Sequence, residues 1–146
     1  MDQAQINRNY EAMQDAFDAF YHLTFGRKKD YLQYVASDDY SFHEEVLTAL
    51  TYRLSPRFDY HVTAEDLIKQ VEPCEVKHYH CIFDLLDMLS SVSVLTDQDR
   101  YTVQTFLHEN DERYRPFLQG MILKNYPIDL SAYEVNEFLG RKAVPV

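Results

Sequence analysis

The stretch CEVKHYHCIFDLLDMLSSV, residues 74–92, contains both cysteines of the chain and a long apolar run. On a helix, at about 100° per residue, its polar side chains fall in one narrow strip and apolar side chains cover most of the remaining circumference. A helix that is apolar on most sides packs against several neighbours. The stretch therefore predicts a buried helix at the centre of an all-α fold.

Composition also favours helices over sheets. The chain has 146 residues, of which 46% are apolar, and this is enough for a core within one domain. Its 3 Gly and 5 Pro are few for a sandwich or barrel with many tight turns. We expect a single domain over residues 1–146, a bundle of about seven helices whose last residues, 141–146, are loose.

Apolar spacing and capping residues place the individual helices. Apolar residues separated by four or three positions predict one buried seam on the first helix, formed by Ile6, Tyr10, Met13, Phe17 and Phe20. A Ser or Thr followed three residues later by Asp or Glu predicts four helix starts, at Ser41, Thr63, Thr96 and Ser131. Gly26 and Gly140 predict helix ends, and residues 57–62 (RFDYHV) are the best candidate for a non-helical stretch.

The two cysteines and a nearby histidine raise the question of a metal or redox site. On a helix, Cys74 and Cys81 lie about 10.5 Å apart, beyond the roughly 7 Å that a disulfide allows and too far for one zinc ion to bind both. We therefore expect thiols, no cofactor, and Cys74, His78 and Cys81 as buried packing groups. The alternative is a helical metalloprotein in which His78 and Cys74 or Cys81 bind the metal together with ligands from elsewhere.

No stretch of the sequence matches a catalytic motif. There is no glycine-rich phosphate loop and no G-x-S-x-G turn, and the stretch HEEVL, residues 43–47, lacks the second histidine of a zinc protease. Glu75-Val-Lys-His78 matches one Glu-x-x-His element of a carboxylate-bridged di-metal bundle, which needs two. We therefore expect a non-enzymatic protein with no catalytic residue.

The charge of the chain limits its partners. With 24 acidic and 14 basic residues, the formal net charge is −10. Such a field repels phosphates, so direct binding to nucleic acid or to an anionic membrane is disfavoured. The N-terminal residues contain no apolar signal segment, and no apolar run approaches the roughly 18 residues of a membrane span. The expected location is the cytoplasm.

Acidic and tyrosine side chains are the strongest candidates for a binding surface. An acidic stripe recurs along the first helix, and acids flank a tyrosine in SDDYSFHEE, residues 37–45. Tyrosine suits interfaces because it buries a large area and keeps a hydroxyl for a partner. The predicted partner-binding residues are Glu11, Asp15, Asp18, Asp38, Asp39, Tyr40, Glu44 and Glu45.

These features favour a protein that acts by binding another protein with a basic surface, as an inhibitor, an immunity-type protein or an adaptor. In a more specific version, the acidic side chains imitate nucleic-acid phosphates and occupy the basic groove of a nucleic-acid-binding partner. The alternatives are the metalloprotein described above and a helical domain that senses a small aromatic molecule between its Tyr- and Phe-rich helices. A homo-oligomer is also compatible with the sequence.

Overall fold

The computed structural model describes all 146 residues and is all-helical, with 59% of the residues in helices and no strand. The all-α prediction is confirmed. The eight helices are α1 (Gln3–His22), α2 (Phe25–Val35), α3 (His43–Leu54), α4 (Ala64–Ile68), α5 (Ile82–Ser90), α6 (Asp97–Glu109), α7 (Arg115–Ile122) and α8 (Ala132–Leu139).

The helices fall into two units. Unit 1 comprises Met1–Arg57 and Pro127–Val146, and it contains α1, α2, α3 and α8. Unit 2 comprises Phe58–Tyr126 and contains α4 to α7. The expectation of one domain over the whole chain stays a prediction.

The core of unit 1 is built on the apolar seam of α1. Its predicted members are all buried, and α1 packs against α2 and α3 while α8 packs against the same two helices. Asp2 caps the first turn of α1, where its carboxylate accepts a hydrogen bond of 2.8 Å from the Gln5 N–H. The opposite face of α1 is left to polar residues.

Two polar contacts hold the C-terminal part of unit 1 in place. The buried Lys28 Nζ donates to the Asp129 carbonyl at 2.7 Å and to its carboxylate at 2.6 Å. Asn136 exchanges two hydrogen bonds of 2.8 Å with the backbone of Val144, whose side chain is fully buried. The C-terminal residues are therefore held in place, in contrast to the expectation of a loose tail.

Three of the four predicted capping boxes form, at Thr63, Thr96 and Ser131, and Gly140 ends α8 in the left-handed region with φ 66°. The box at Ser41 does not form, because the backbone turns there and the His43 N–H donates to the Tyr40 carbonyl at 3.1 Å. Gly26 does not end α1 and is the second residue of α2. Residues 57–62 are non-helical, as predicted.

The largest departure from the sequence prediction lies at residues 74–81. The buried helix α5 begins only at Ile82, and Cys81 is its N-cap with extended backbone angles. From Ile82 onward the prediction holds, since Leu85, Leu86 and Leu89 are fully buried. Residues 74–81 are rich in His, Tyr, Val and Cys, which are weak helix formers, so nothing local extends the helix toward the N-terminus.

A close backbone approach in unit 2 requires a glycine. After α7 the chain folds back, and the N–H groups of Asn125 and Tyr126 donate to the Gly120 carbonyl at 2.9 and 3.2 Å. A Cβ atom on Gly120 would lie 2.6 Å from the Tyr126 Cβ, which is far inside van der Waals contact. A Cβ on the helical residue Gly26 would meet no atom within 4 Å.

Replacing these two glycines with alanine should change stability in opposite directions. Gly120→Ala overpacks the α7 turn and should lower the free energy of unfolding by about 1–3 kcal/mol. Gly26→Ala restricts only the unfolded chain and should raise the free energy of unfolding by about 0.4–1 kcal/mol. Urea denaturation followed by circular dichroism measures both, and equal effects of the two substitutions would contradict the close approach at Gly120.

Candidate protein-binding site

A surface groove in unit 1 contains three of the predicted partner-binding residues. Glu11 and Asp15 lie one helical turn apart on the exposed face of α1, and they line a groove of about 330 Å³ together with Tyr40 and Phe42. Arg8, Ala12 and Ser41 complete the lining. The wall on α1 therefore carries two carboxylates and one guanidinium, and the other wall is aromatic.

The aromatic wall is held by contacts within residues 34–43. The Tyr40 ring lies 5.5 Å from the Tyr34 ring and 6.0 Å from the Phe42 ring, measured between centroids. The His43 Nδ1 hydrogen-bonds the Tyr40 carbonyl at 2.9 Å, and its Nε2 lies 3.6 Å from the Asp38 carboxylate. His43 thus positions the turn that carries Tyr40.

Two groups that line the groove have raised pKa values, first because of burial and then because of neighbouring negative charges. Partial burial raises the pKa of Asp15, and the neighbouring carboxylates of Glu11 and Asp18 raise it further. Burial also raises the pKa of the Tyr40 hydroxyl, with additional contributions from Asp15, Tyr34 and Glu45. Both shifts show that the groove disfavours another negative charge, and a cation would reverse this effect.

Glu45 adds a more specific observation. It stands in the first turn of α3, and its Oε2 atom is buried without a hydrogen-bond partner. A buried carboxylate oxygen without a donor is costly, and such atoms are rare in folded proteins. Glu45 does not line the groove, and it acts on the pKa of Tyr40 through its charge.

The structure brings most, but not all, of the predicted partner-binding residues together. Asp18 and Glu45 act on residues of the groove through their charge, and Asp38 contacts His43. Asp39 and Glu44 are exposed and do not line the groove. The predicted set of partner-binding residues leaves out four residues at or beside the groove: Arg8, Tyr34, Phe42 and His43.

The cysteine–histidine stretch of unit 2 differs from its prediction. Cys74 is exposed, and the His78 side chain is 59% exposed with its Nδ1 2.9 Å from the Glu109 carboxylate. The prediction that these two residues are buried packing groups is wrong, because the helix that would have buried them starts only at Ile82. Cys81 is half-buried, and burial raises the pKa of its thiol.

A second groove, of about 480 Å³, lies beside this stretch in unit 2. Its lining mixes basic and acidic side chains with Tyr79 and Met88: Lys77, His78, His80, Asp84 and Asp87. No group of three His, Cys, Asp or Glu side chains in the chain is arranged to hold a metal ion. The mixed lining has no single charge preference, in contrast to the groove in unit 1.

No protein-family model matches the chain, and comparison with curated proteins and with solved structures finds no significant match. None of the eight helices combines the length and the hydropathy that a membrane span requires. The role of the groove in unit 1 therefore has to be argued from its own geometry and charge.

The raised pKa of Asp15 leads to a pH-dependent prediction. The folded protein holds a proton at this carboxyl more tightly than the unfolded chain does. The contribution of Asp15 to stability therefore falls as the pH rises from the ordinary pKa of 3.8 through the raised pKa of the folded state. Asp15→Asn should therefore raise the free energy of unfolding at neutral pH and leave it nearly unchanged near pH 3.

Urea denaturation at both pH values measures this difference. The exposed residue Asp30 on α2 provides a matched control, and Asp30→Asn should not stabilise the protein at either pH. A loss of stability in Asp15→Asn at neutral pH would show that the carboxylate is not strained by its neighbours.

Proposed function

We propose that this protein acts by binding a basic segment of another protein in the groove lined by Glu11, Asp15 and Tyr40. The observation that carries the proposal is that the carboxylates of Glu11 and Asp15 line one groove with the Tyr40 ring and form no ion pair within the chain. An inhibitor, an immunity-type protein or an adaptor would act in this way.

The chemistry of the groove suits an arginine side chain. A guanidinium presents several N–H donors to carboxylates and stacks its flat face on aromatic rings. Glu11 and Asp15 would supply the carboxylates, and Tyr40 would supply the ring. A bound cation would also lower the raised pKa of Asp15, because it favours the ionised carboxylate.

No cation of the protein forms an ion pair with the two carboxylates of this site. Neither Glu11 nor Asp15 forms an ion pair within the chain. Arg8 lines the groove, but its guanidinium donates to Gln5 Oε1 at 2.7 Å and makes no ion pair with these carboxylates. The two charges are therefore free to attract a partner, and the net charge of −10 steers basic partners toward the protein.

Fluorescence anisotropy with a labelled arginine-rich peptide tests the proposal. The double substitution Glu11→Gln with Asp15→Asn should weaken binding roughly tenfold or more, since hydrogen bonds to charged groups contribute about 1.5–3 kcal/mol each. Tyr40→Ala should weaken binding as well, whereas Tyr40→Phe keeps the ring and should retain most of the affinity.

A matched control removes one aspartate charge and one glutamate charge elsewhere in unit 1. Asp30 on α2 and Glu137 on α8 are exposed, and the double substitution Asp30→Asn with Glu137→Gln should leave the affinity within about twofold of the original. Equal weakening by both double substitutions would mean that the peptide responds to net charge alone, and the groove would lose its proposed role.

The more specific version, in which the acids imitate nucleic-acid phosphates, has its own test. Binding to a nucleic-acid-binding partner through many charge contacts should weaken steeply as the salt concentration rises. A shallow salt dependence would contradict the imitation of phosphates while leaving the arginine-binding groove in place.

A further inference from the structure

Residues 69–79 of unit 2 form a segment that we call the edge segment. It contains no helix, turn or bend, and none of its residues is buried. It follows α4 and leads through a bend at His80 and Cys81 into α5. A stretch of this kind within a helical unit is unusual, because most backbone groups in such units are paired inside helices.

One edge of this segment faces α6. The Gln104 side chain donates to the Lys69 carbonyl at 2.8 Å, and the Gln98 side chain donates to the Glu75 carbonyl at 2.9 Å. In an extended chain, successive residues direct their backbone groups to opposite edges, so two residues separated by an even number share an edge. Lys69 and Glu75 are both odd-numbered, and on this alternation Pro73, which lacks an N–H, belongs to the same edge as they do.

The other edge of the segment is free. It is formed by the even-numbered residues, and their N–H and carbonyl groups make no hydrogen bond within the protein: Gln70, Glu72, Cys74, Val76 and His78. A row of unpaired backbone donors and acceptors is a ready site for pairing with another extended chain.

We propose that the edge segment pairs with the same segment of a second copy of this chain, as an antiparallel two-stranded ribbon centred on Val76. A twofold axis at Val76 places Glu75 opposite Lys77 of the second copy, and this occurs twice in the dimer. Opposite charges across antiparallel strands stabilise the pairing, and like charges destabilise it.

The charges of the edge segment favour a twofold axis at Val76 over an axis at another residue of the free edge. A twofold axis at Cys74 would place Glu75 opposite Pro73 and would leave Lys77 opposite Val71. An axis at His78 would place Lys77 opposite Tyr79. An axis at Glu72 would pair Lys69 with Glu75 but would set Glu72 opposite itself, so the axis at Val76 is the one that pairs opposite charges without bringing like charges together. A ribbon of two strands is marginal in water, so the dimer forms weakly and at high protein concentration.

Sedimentation equilibrium over a range of protein concentrations tests the pairing. Either Glu75→Lys or Lys77→Glu alone places like charges opposite each other twice, and the dimer dissociation constant should rise about tenfold. The double substitution Glu75→Lys with Lys77→Glu exchanges the charges and should restore the original constant. The exposed Lys142 of unit 1 provides the control, and Lys142→Glu should leave the constant unchanged.

Two results would overturn the proposal. One is a protein that stays monomeric at every concentration, and the other is a dimer whose constant does not respond to the single charge reversals. The rescue by the double substitution separates the pairing from any local loss of structure, because Lys77 also lies 5.3 Å from the Tyr79 ring.

A crosslinking experiment tests the position of the axis. In a Cys74→Ser and Cys81→Ser background, Val76→Cys would place one cysteine of each copy at the twofold axis. The Cα atoms of these two cysteines would lie about 5.5 Å apart, a distance that fits a disulfide. Incubation with oxidised glutathione should yield a covalent dimer, which non-reducing electrophoresis detects. Gln70→Cys in the same background is the control and should not crosslink, and equal crosslinking of both variants would overturn the axis at Val76.

Discussion

The burial of one face of α1 is the constraint on which the proposed binding site depends. Tyr10, Met13 and Phe17 are almost completely buried, and each contributes about 1.5–3 kcal/mol to folding. At 3.6 residues per turn, this burial forces Glu11 and Asp15 to share the opposite face. The seam therefore holds two carboxylates next to each other, and the pKa of Asp15 is raised by partial burial and, to a smaller extent, by repulsion from Glu11 and Asp18.

The second wall of the site also contains groups whose surroundings are unfavourable for stability. The turn fixed by His43 holds Tyr40 where its hydroxyl has a raised pKa, and the neighbouring Glu45 keeps a buried oxygen without a donor. Such departures from optimal stability concentrate at functional sites, because function requires groups that the fold alone would not favour. A cation bound in the groove would improve the electrostatic surroundings of Asp15 and Tyr40, which both line it.

Local signals in the sequence predicted much of the fold. The seam of α1 and the capping boxes at Thr63, Thr96 and Ser131 were readable because each depends on residues within one or two turns. The helix predicted over residues 74–81 is wrong because a helical wheel arranges any sequence as a helix and does not test whether a helix forms. The acidic half of the groove followed from periodicity, whereas its contact with Tyr40 joins residues that are distant in sequence and has no local signal.

The most direct test of the central claim is to map where a basic ligand binds. In a titration of isotope-labelled protein with an arginine-rich peptide, followed by amide chemical shifts, saturable changes should concentrate in α1 around Glu11 and Asp15 and in residues 38–45. Changes spread over all exposed acidic residues, or concentrated at Asp84 and Asp87 of unit 2, would contradict a defined binding groove in unit 1.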